Sequence, residues 1–588
     1  MRKLASGAAM AALLCGAAVM SPAKAVETPK HVEQAGRNVH QFVFDRGNAA
    51  YHGPLDERLG INGAVAQAPR LGAPAAYVTA VEQSLRRLGA PDRVAKSGSH
   101  EGPNYFVEKG GDWDGDGIAD ALGIESSNTG LNVAALDGKT GAELWRWTES
   151  SGYGYAQAAV VGDGKQGVVV WTYSGVSAVA TAVPTLTVTA LDSAGGVVWE
   201  KVHRGSWVWV GAAVVARNVP LLTGIGGLTA SSADDVLVST ATYAASAVGT
   251  SRTSVEVLDG VAGAPAFKAN SSWNGELLES MIGPDLTGDG RDDVLLVGSS
   301  LLAAVRGTDG AKLWEADGLP LYYRAPQFVG DVTGDGRTDL AVSSVLWDSE
   351  DYYARETAVL DGATGARTAV VPGTLATGAG DVNGDGKGDL STVSVGYESS
   401  TATASVTYQT FTGTGTGLGS QTYSQTDDWD TSTYVYVWQV ADVQHDGSSE
   451  WAHNINVYDE DGLRRSDRGV VSGRTNLRMW EGKVGVPVGG AIDGEGEDLV
   501  QIGPGGVKAQ DGVSGRTLWT AALPRYEADD AWSVGDLDGD GRDEVAVLLI
   551  GDSTNWSYQA RVLSGADGTP LWNDLVVVVN PPSAIPAP

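Results

Sequence analysis

The 588-residue sequence predicts an all-β protein, a β-propeller made of four-stranded antiparallel blades. Two motifs that alternate along the chain carry this prediction. An acidic stretch, clearest as DLTGDGRDD from Asp285, precedes an apolar run, and a turn motif, clearest as LDGKTGAELW from Leu136, follows each copy. Four short strands in a repeat of roughly 40–60 residues are typical of a propeller blade.

Nine such units can be counted. The first and last clear acidic stretches begin at Asp112 and Asp536, which are 424 residues and eight intervals apart, so the period is about 53 residues. Within residues 327–371 the runs QFVG, DLAVSS, ETAVLDG and ARTAVV predict four strands separated by turns. Since no helical periodicity lies between them, a parallel βαβ architecture is disfavoured. The repeats predict a propeller of seven to nine blades over residues 105–575.

The segments outside the repeats differ in character. Residues 1–25 are typical of a bacterial signal peptide, with Arg2 and Lys3, an apolar run and an A-x-A site at Ala23–Ala25, so we expect a secreted protein. Residues 26–104 are expected to form a short, partly helical extension that is a packing cap, a pro-segment or an interaction module. Residues 576–588 are expected to be the end of a last strand and a disordered proline-rich tail.

Composition excludes several classes of protein. The one cysteine, Cys15, lies in the predicted signal, so disulfides, cysteine nucleophiles and cysteine metal sites are not expected after its removal. The net charge is −32, and it becomes −35 when three basic residues leave with the signal. Nucleic acid and anionic membranes are therefore poor partners. No later apolar run is long enough to span a bilayer, and we expect a monomer.

The acidic stretch from Asp285 has the ligand spacing of a calcium loop. Asp285, Thr287, Asp289 and Asp293 occupy positions 1, 3, 5 and 9, and Arg291 at position 7 can offer its backbone carbonyl. Hard oxygen ligands on a short loop are what calcium takes. An EF-hand is disfavoured, because position 12 is Leu296 in an apparent strand.

These loops resemble the FG-GAP/VCBS repeat family, whose relatives include the calcium-binding β-propellers of integrin α chains. The resemblance implies one calcium ion per intact loop, about five in all, on one face of the propeller. Carried over position by position, the other ligand sets are Asp112, Asp114, Asp116, Ile118 and Asp120; Asp331, Thr333, Asp335, Arg337 and Asp339; Asp381, Asn383, Asp385, Lys387 and Asp389; and Asp536, Asp538, Asp540, Arg542 and Glu544.

The sequence also departs from the family. The Phe-Gly and Gly-Ala-Pro pairs of integrin repeats are mostly absent, and a possible sixth loop at Asp442 has Gln444 at position 3. Near Asp163, Ala159 and Gly167 replace the acids at positions 1 and 9, so no ion is expected there. Degenerate copies of the acidic motif, which have lost ligand residues, occur near Asp234 and Asp493.

The second motif resembles the tryptophan-docking repeat of quinone-dependent dehydrogenases. That resemblance implies a structural tryptophan packed between adjacent blades, and the sequence does not support the quinone cofactor itself.

No catalytic residue or organic cofactor site is predicted. The seven histidines form no tight metal pair, and surface positions are expected for His445 and His453. Aromatic runs at 206–211, 321–326 and 428–438 either stack on sugars or line the central channel. We therefore expect a secreted, calcium-stabilised binding or adhesion module for a glycan or protein ligand. The alternative is a carbohydrate-active enzyme, similar to a polysaccharide lyase, that uses a calcium-bearing propeller.

Overall fold

The computed structural model describes residues 40–45 and 104–572, except the segments 128–129, 151, 175–182, 211–212, 243–251, 271–278, 299–300, 318, 320–325, 346–354, 374, 399, 427–431, 441, 460–461 and 551–557. The described residues form 35 β-strands and no helix. Accordingly, none of that part of the chain forms a helix with the length and hydropathy needed to cross a bilayer. The predicted signal, most of the predicted partly helical extension and the C-terminal tail lie outside the described residues.

The strands form antiparallel blades that follow one another along the chain. One strand precedes the blades, β1 (His40–Asp45). The strands of the first three blades are β2 (Asn104–Lys109), β3 (Ala121–Ser127), β4 (Gly130–Leu136) and β5 (Glu143–Glu149); β6 (Tyr153–Val161), β7 (Lys165–Ser174), β8 (Thr185–Leu191) and β9 (Val197–Arg204); and β10 (Ser206–Val210), β11 (Ala213–Gly226), β12 (Asp235–Thr242), β13 (Arg252–Leu258) and β14 (Pro265–Asn270).

The next three blades have four strands each. They are β15 (Glu279–Ile282), β16 (Val294–Val297), β17 (Leu301–Val305) and β18 (Lys312–Asp317); β19 (Gln327–Gly330), β20 (Asp339–Val345), β21 (Arg355–Leu360) and β22 (Arg367–Pro372); and β23 (Leu375–Gly380), β24 (Asp389–Glu398), β25 (Thr403–Thr412) and β26 (Gly417–Thr426). The four strands predicted within residues 327–371 are confirmed.

The seventh blade is a separate sheet, whereas the eighth and ninth blades share a strand. The seventh consists of β27 (Ser432–Gln439), β28 (Trp451–Asp459), β29 (Gly462–Val471) and β30 (Arg478–Glu481). The eighth and ninth are one continuous sheet, with β31 (Val486–Pro487), β32 (Leu499–Gln510), β33 (Thr517–Gly535), β34 (Glu544–Ile550) and β35 (Tyr558–Leu563). The 19-residue β33 pairs with β32 through its first half and with β34 through its second half, so it joins the two blades. The propeller therefore has nine blades, at the upper end of the predicted range.

Burial follows the position of a strand in its blade. The run LLAAV of β17, the third strand of the fourth blade, is buried throughout, whereas the outer strand β9 alternates exposed and covered residues. Continuous apolar runs are typical of strands covered on both faces, and alternation is typical of a strand with one solvated face. The cores accordingly lie between blades rather than in one centre.

Tryptophans from the turn motif join neighbouring blades. Each indole N–H donates to a backbone carbonyl in the turn of the next blade, at 2.7–3.0 Å. The ring lies over the glycine of that turn: a Cβ added to Gly141, whose φ is +67°, would be 2.8 Å from the Trp572 ring. The six pairs are Trp145 with Ser193, Trp199 with Gly260, Trp314 with Gly362, Trp480 with Gly512, Trp519 with Gly565 and Trp572 with Gly138.

The last pair closes the ring, because it joins the ninth blade to the first. Trp532 of β33 also donates its indole N–H to the carbonyl of Val107 in β2, at 2.7 Å. One core cluster contains residues of the first blades together with Leu548 and Val562 of the ninth. The propeller is thus closed by side-chain packing and hydrogen bonds between its two ends.

Three blade junctions lack the tryptophan. Phe267 stands at the tryptophan position of the third blade and packs on Gly310 of the fourth. Thr368 donates its hydroxyl to the carbonyl of Gly413 at 3.2 Å between the fifth and sixth. Gly419 occupies the tryptophan position of the sixth blade and has no side chain to dock.

A polar network fills that sixth junction instead. Tyr408 lies 2.9 Å from Nδ1 of His453, and Asp467 lies 3.6 Å from Nε2 of the same ring. Arg478 forms an ion pair with Asp467 and lies over the ring of Tyr423, 4.5 Å from its centre. His453 is fully buried, so the surface position predicted for it is wrong, whereas the prediction for His445 is confirmed.

Strand β1 was not predicted. Its backbone pairs antiparallel with the inner strand of the seventh blade, from His40 opposite Val437 to Asp45 opposite Ser432. A piece of the predicted N-terminal extension is therefore a strand added to the inner edge of a blade.

Candidate metal-binding face

The acidic loops lie at one end of the blades, each between the first and second strand. The turn that joins the third and fourth strand lies beside it, because antiparallel strands bring these two connections to the same edge. The nine loops and nine turns together occupy one face of the propeller, which we call the loop face.

The acid at position 9 ties its loop to the neighbouring turn. In the fifth blade, one oxygen of Asp339 accepts the backbone N–H groups of Val332 and Thr333 at 2.8 and 2.7 Å, and the other accepts that of Gly362 at 2.9 Å. Asp293 is bonded in the same way by Leu286, Thr287 and Gly307. Asp120, Asp293, Asp339, Asp389 and Glu544 are all buried.

The acid at position 1 shapes the loop from within. Its two oxygens accept backbone N–H groups from positions 4 and 6, as from Gly334 and Gly336 to Asp331 at 2.6 and 2.8 Å. Both glycines have a positive φ, +82° and +86°, which a residue with a Cβ adopts only with strain. The same bonds recur at Asp112, Asp285, Asp381 and Asp536.

Position 5 is partly or fully exposed and makes fewer bonds. In all five predicted loops one carboxylate oxygen accepts the N–H of position 7 at 2.9–3.0 Å, as in the pair of Asp335 and Arg337. At position 3, Asp114 and Asp538 each accept one N–H group, at 2.9 and 3.0 Å. Oxygens at positions 3 and 5 are thus displayed toward solvent on a preformed loop.

Three groups of acids have ligand atoms within 4.8 Å of one another in the described residues: Asp112, Asp114 and Asp120; Asp442, Asp446 and Glu450; and Asp536, Asp538 and Asp540. They can hold a metal ion. Asp116 and Glu544 stand outside the first and third groups. The loops at Asp285, Asp331 and Asp381, with Thr or Asn at position 3, keep the same backbone bonds but do not bring three carboxylates as close.

The seventh loop has a feature that the sequence did not suggest. One oxygen of Glu450 accepts the N–H of Val443 at 2.8 Å, and the other oxygen, Oε1, is buried without a hydrogen-bond partner. Asp442 and Asp446 lie beside it. A buried unpaired carboxylate oxygen is costly, so this doubtful loop is among the better formed candidates.

Burial sets the charge state of these carboxyl groups. It raises the pKa of Glu450 to about 8, with Asp446 and Asp442 adding to the rise and the N–H of Val443 opposing it. Burial likewise raises the pKa of Glu544 to about 7. A cation among these oxygens favours the ionised form and lowers such a pKa.

Three degenerate loops lack most of the acids of the predicted ligand positions and are held by other contacts. In the second blade, β6 and β7 stay paired as far as Val161 and Lys165, so a tight hairpin replaces the loop. In the third blade the position-9 residue is Asp235, one residue beyond the Asp234 that the sequence pointed to. Its carboxylate accepts the hydroxyls of Thr229 and Ser231 at 3.1 and 3.2 Å.

The eighth blade has a shortened loop. Asp498 accepts the N–H of Gly512 in the neighbouring turn at 3.0 Å, as the position-9 acid does elsewhere, and that of Asp493 at 3.0 Å. Burial raises the pKa of Asp498 to about 6.

Side chains at position 7 or 8 link four of the loops to the preceding blade. Arg337 donates to the carbonyl of Leu286 at 2.7 Å, and Lys387 donates to that of Thr333 at 2.8 Å. At position 8, Asp234 accepts the N–H of Val160 at 2.7 Å and Asp543 accepts that of Ala491 at 3.2 Å. Position 8 is not among the predicted ligand positions, so sequence reasoning missed this role, although an acid recurs there.

The described aromatic residues of the run at 428–438 are buried rather than exposed for sugar stacking, and residues 428–431 lie outside the described residues. Tyr434, Tyr436 and Trp438 of β27 are buried in a core with Val484 and Leu499 of the eighth blade. Residues 206–210 of the second run form β10, and residue 211 and residues 321–325 lie outside the described residues.

The comparisons with known proteins extend only to fold. No family model and no curated protein matches the chain. Solved structures that resemble it include the biofilm matrix protein Bap1 of V. cholerae, at 15% identity over 79% of each chain with a TM-score of 0.26. A eukaryotic initiation factor is 9% identical over 76% of this chain and 94% of its own, with a TM-score of 0.37. The Dos1 propeller is 9% identical over 79% and 96%, with a TM-score of 0.31.

At these identities and TM-scores the likeness carries no functional argument. The fold and the loop face together define an all-β, nine-bladed propeller with several acidic clusters that can bind a metal ion.

Proposed function

We propose that the protein is a secreted, calcium-stabilised scaffold that binds a glycan or a protein on its surface. The observation that carries the proposal is the repeated loop, in which backbone bonds hold the acids at positions 1 and 9 while oxygens at positions 3 and 5 remain displayed. Backbone bonds thus hold the loop in a shape that presents oxygens to a cation.

Calcium suits this donor set best among common metal ions. The ligand atoms are carboxylate, amide, hydroxyl and carbonyl oxygens, and the predicted loops offer no sulfur or imidazole. Calcium accepts six to eight such ligands in flexible geometry, whereas magnesium keeps several waters and transition metals favour nitrogen or sulfur.

The bound ion would hold the acidic loop and the neighbouring turn of a blade together. The carboxylate at position 9 accepts hydrogen bonds from its own loop and from the neighbouring turn. A calcium ion bound to that carboxylate would therefore stabilise both the loop and the turn. If calcium binds only the folded chain, a site held at 100 times its Kd adds about 2.7 kcal/mol to the free energy of unfolding.

A thermal melt of Asp335→Asn tests the calcium assignment. Asparagine keeps an oxygen that can accept the N–H of Arg337 but removes the ligand's charge. We expect a lower melting temperature than the parent in calcium and the same melting temperature in EDTA. The control is Asp361→Asn, in the turn of the same blade, where the oxygen accepts the N–H of Thr364. Equal melting of both variants in calcium would refute the assignment.

The binding role is tested separately, with a glycan array and a polysaccharide-degradation assay on the calcium-loaded protein. Binding without turnover supports a binding module, and turnover of any polysaccharide replaces it with the enzymatic alternative. If the protein neither binds a glycan nor degrades a polysaccharide, a glycan ligand is excluded. The ligand would then be a protein, which affinity capture would identify.

A further inference from the structure

The sixth blade has an outer edge unlike those of its neighbours. Its strands β24, β25 and β26 are ten residues long, whereas the outer strands β5, β9, β14, β18, β22 and β30 have four to eight residues. Strand β26 is paired with β25 from Thr426 opposite Thr403 to Gly417 opposite Phe411. Its other edge ends the sheet.

No charged residue and no proline occurs from Ser400 to Thr426, in a chain in which 19% of residues are charged. The six other outer strands named above each contain a charged residue, as at Glu200 in β9 and Lys312 in β18. Charges and prolines on an edge strand prevent it from pairing with another chain. Strand β26 has neither protection in its own sequence; beside its last residue, Arg465 of β29 donates to the carbonyl of Thr426 at 2.9 Å.

The strand is held in a form ready to pair. On one face, Thr422 and Thr407 are hydrogen-bonded at 2.9 Å, and Thr426 and Thr403 at 3.2 Å. On the other face, Tyr423 packs against Arg478 and His453 of the seventh blade. Because β26 is already extended and fixed, it would lose little conformational entropy of its own when a partner strand pairs with it.

The charge of the molecule indicates where two copies could meet. Two copies with a net charge of −32 repel each other, and least where neither presents a charge. A two-fold axis at the edge of a sheet sets identical strands antiparallel, with residues of one copy opposite residues of the same strand in the other. On β26 these are Ser, Thr, Gln and Gly, whose hydroxyls and amides can pair across strands.

We propose that β26 pairs antiparallel with β26 of a second copy, which joins two sixth blades into one eight-stranded sheet. The paired strands are about 34 Å long, at about 3.4 Å per residue. Contact limited to such an edge falls at the weak end of protein interfaces, below about 1,200 Å². The expected monomer therefore predominates when dilute, and the dimer forms at high concentration.

Sedimentation velocity of the calcium-loaded protein, from low micromolar to near-millimolar concentration, tests the proposal. We expect the mass to rise toward that of a dimer, and more readily at high salt because salt screens the repulsion. Thr422→Lys, at an exposed position, should keep the melting temperature and abolish the rise. Val198→Lys, at an exposed position of β9, is the matched control and should dimerise like the parent. A parent that stays monomeric, or a Thr422→Lys protein that still dimerises, overturns the proposal.

A crosslinking experiment locates the contact. Because the sequence after Cys15 contains no cysteine, Ser420→Cys, Thr422→Cys and Ser424→Cys each introduce one thiol into a chain made without residues 1–25. We expect at least one to give a disulfide-linked dimer on mild oxidation, and the best one identifies the register. Val198→Cys is the control. If no β26 variant crosslinks more than this control, a dimer seen by sedimentation uses another surface and the proposal fails.

Discussion

Removing the indole of Trp572 is expected to weaken the closure of the ring. The side chain is buried, its ring lies over Gly141 of the first blade, and its N–H donates to the carbonyl of Gly138 at 2.9 Å. Truncation of a buried tryptophan to alanine costs about 3–5 kcal/mol. Trp572→Ala should therefore lower the free energy of unfolding by about that amount.

Two further variants separate the causes. Trp572→Phe keeps an aromatic ring, as Phe267 does at another junction, and loses the hydrogen bond, so it should cost about 1–2 kcal/mol. Leu477→Ala changes a side chain that is 59% exposed and should cost less than about 0.5 kcal/mol. Urea unfolding followed by circular dichroism and fluorescence measures all three. If Trp572→Ala unfolds at the same urea concentration as Leu477→Ala, the closing contact does not stabilise the ring.

Three other variants test separate features. Gly141→Ala adds a Cβ 2.8 Å from the docked ring at a φ of +67° and should lower the melting temperature more than Gly505→Ala, whose φ is +82° with nothing within 4 Å. Thr229→Val removes a hydroxyl bond to buried Asp235 and should cost about 1.5–3 kcal/mol equally in calcium and in EDTA; a calcium-dependent loss would mean that this loop binds an ion. Burial lowers the pKa of His453 in the folded chain, so its neutral form stabilises the fold fully above an unfolded pKa of about 6.5 and progressively less as the pH falls below it. His453→Gln should flatten that pH dependence of urea unfolding, and an unchanged slope would contradict the assignment.

The blades and loops were predictable because each is encoded within one repeat. The turn glycines, the acid at position 9 and the docking tryptophan recur at a fixed distance from each other, so local spacing reveals them. The number of blades could not be determined from one repeat, because it depends on where the ring closes. The closing contact joins Trp572 and Gly138, which are 434 residues apart in the chain.

Features that depend on contacts between repeats escaped the sequence. Asp234 and Asp543 look like surplus acids until the preceding blade is placed beside them. His453 looks like a surface residue because its neighbours Tyr408 and Asp467 lie in other strands. Strand β1 pairs with residues nearly 400 positions further on, and no local pattern announces such a partner.

Native mass spectrometry in the presence of calcium counts the ions bound to each chain and so tests the central claim most directly. The account predicts five or six calcium ions bound to each chain, the sixth at Glu450, and one ion fewer in Asp335→Asn but not in Asp361→Asn. A chain that carries no calcium, or a count that Asp335→Asn leaves unchanged, would contradict the account.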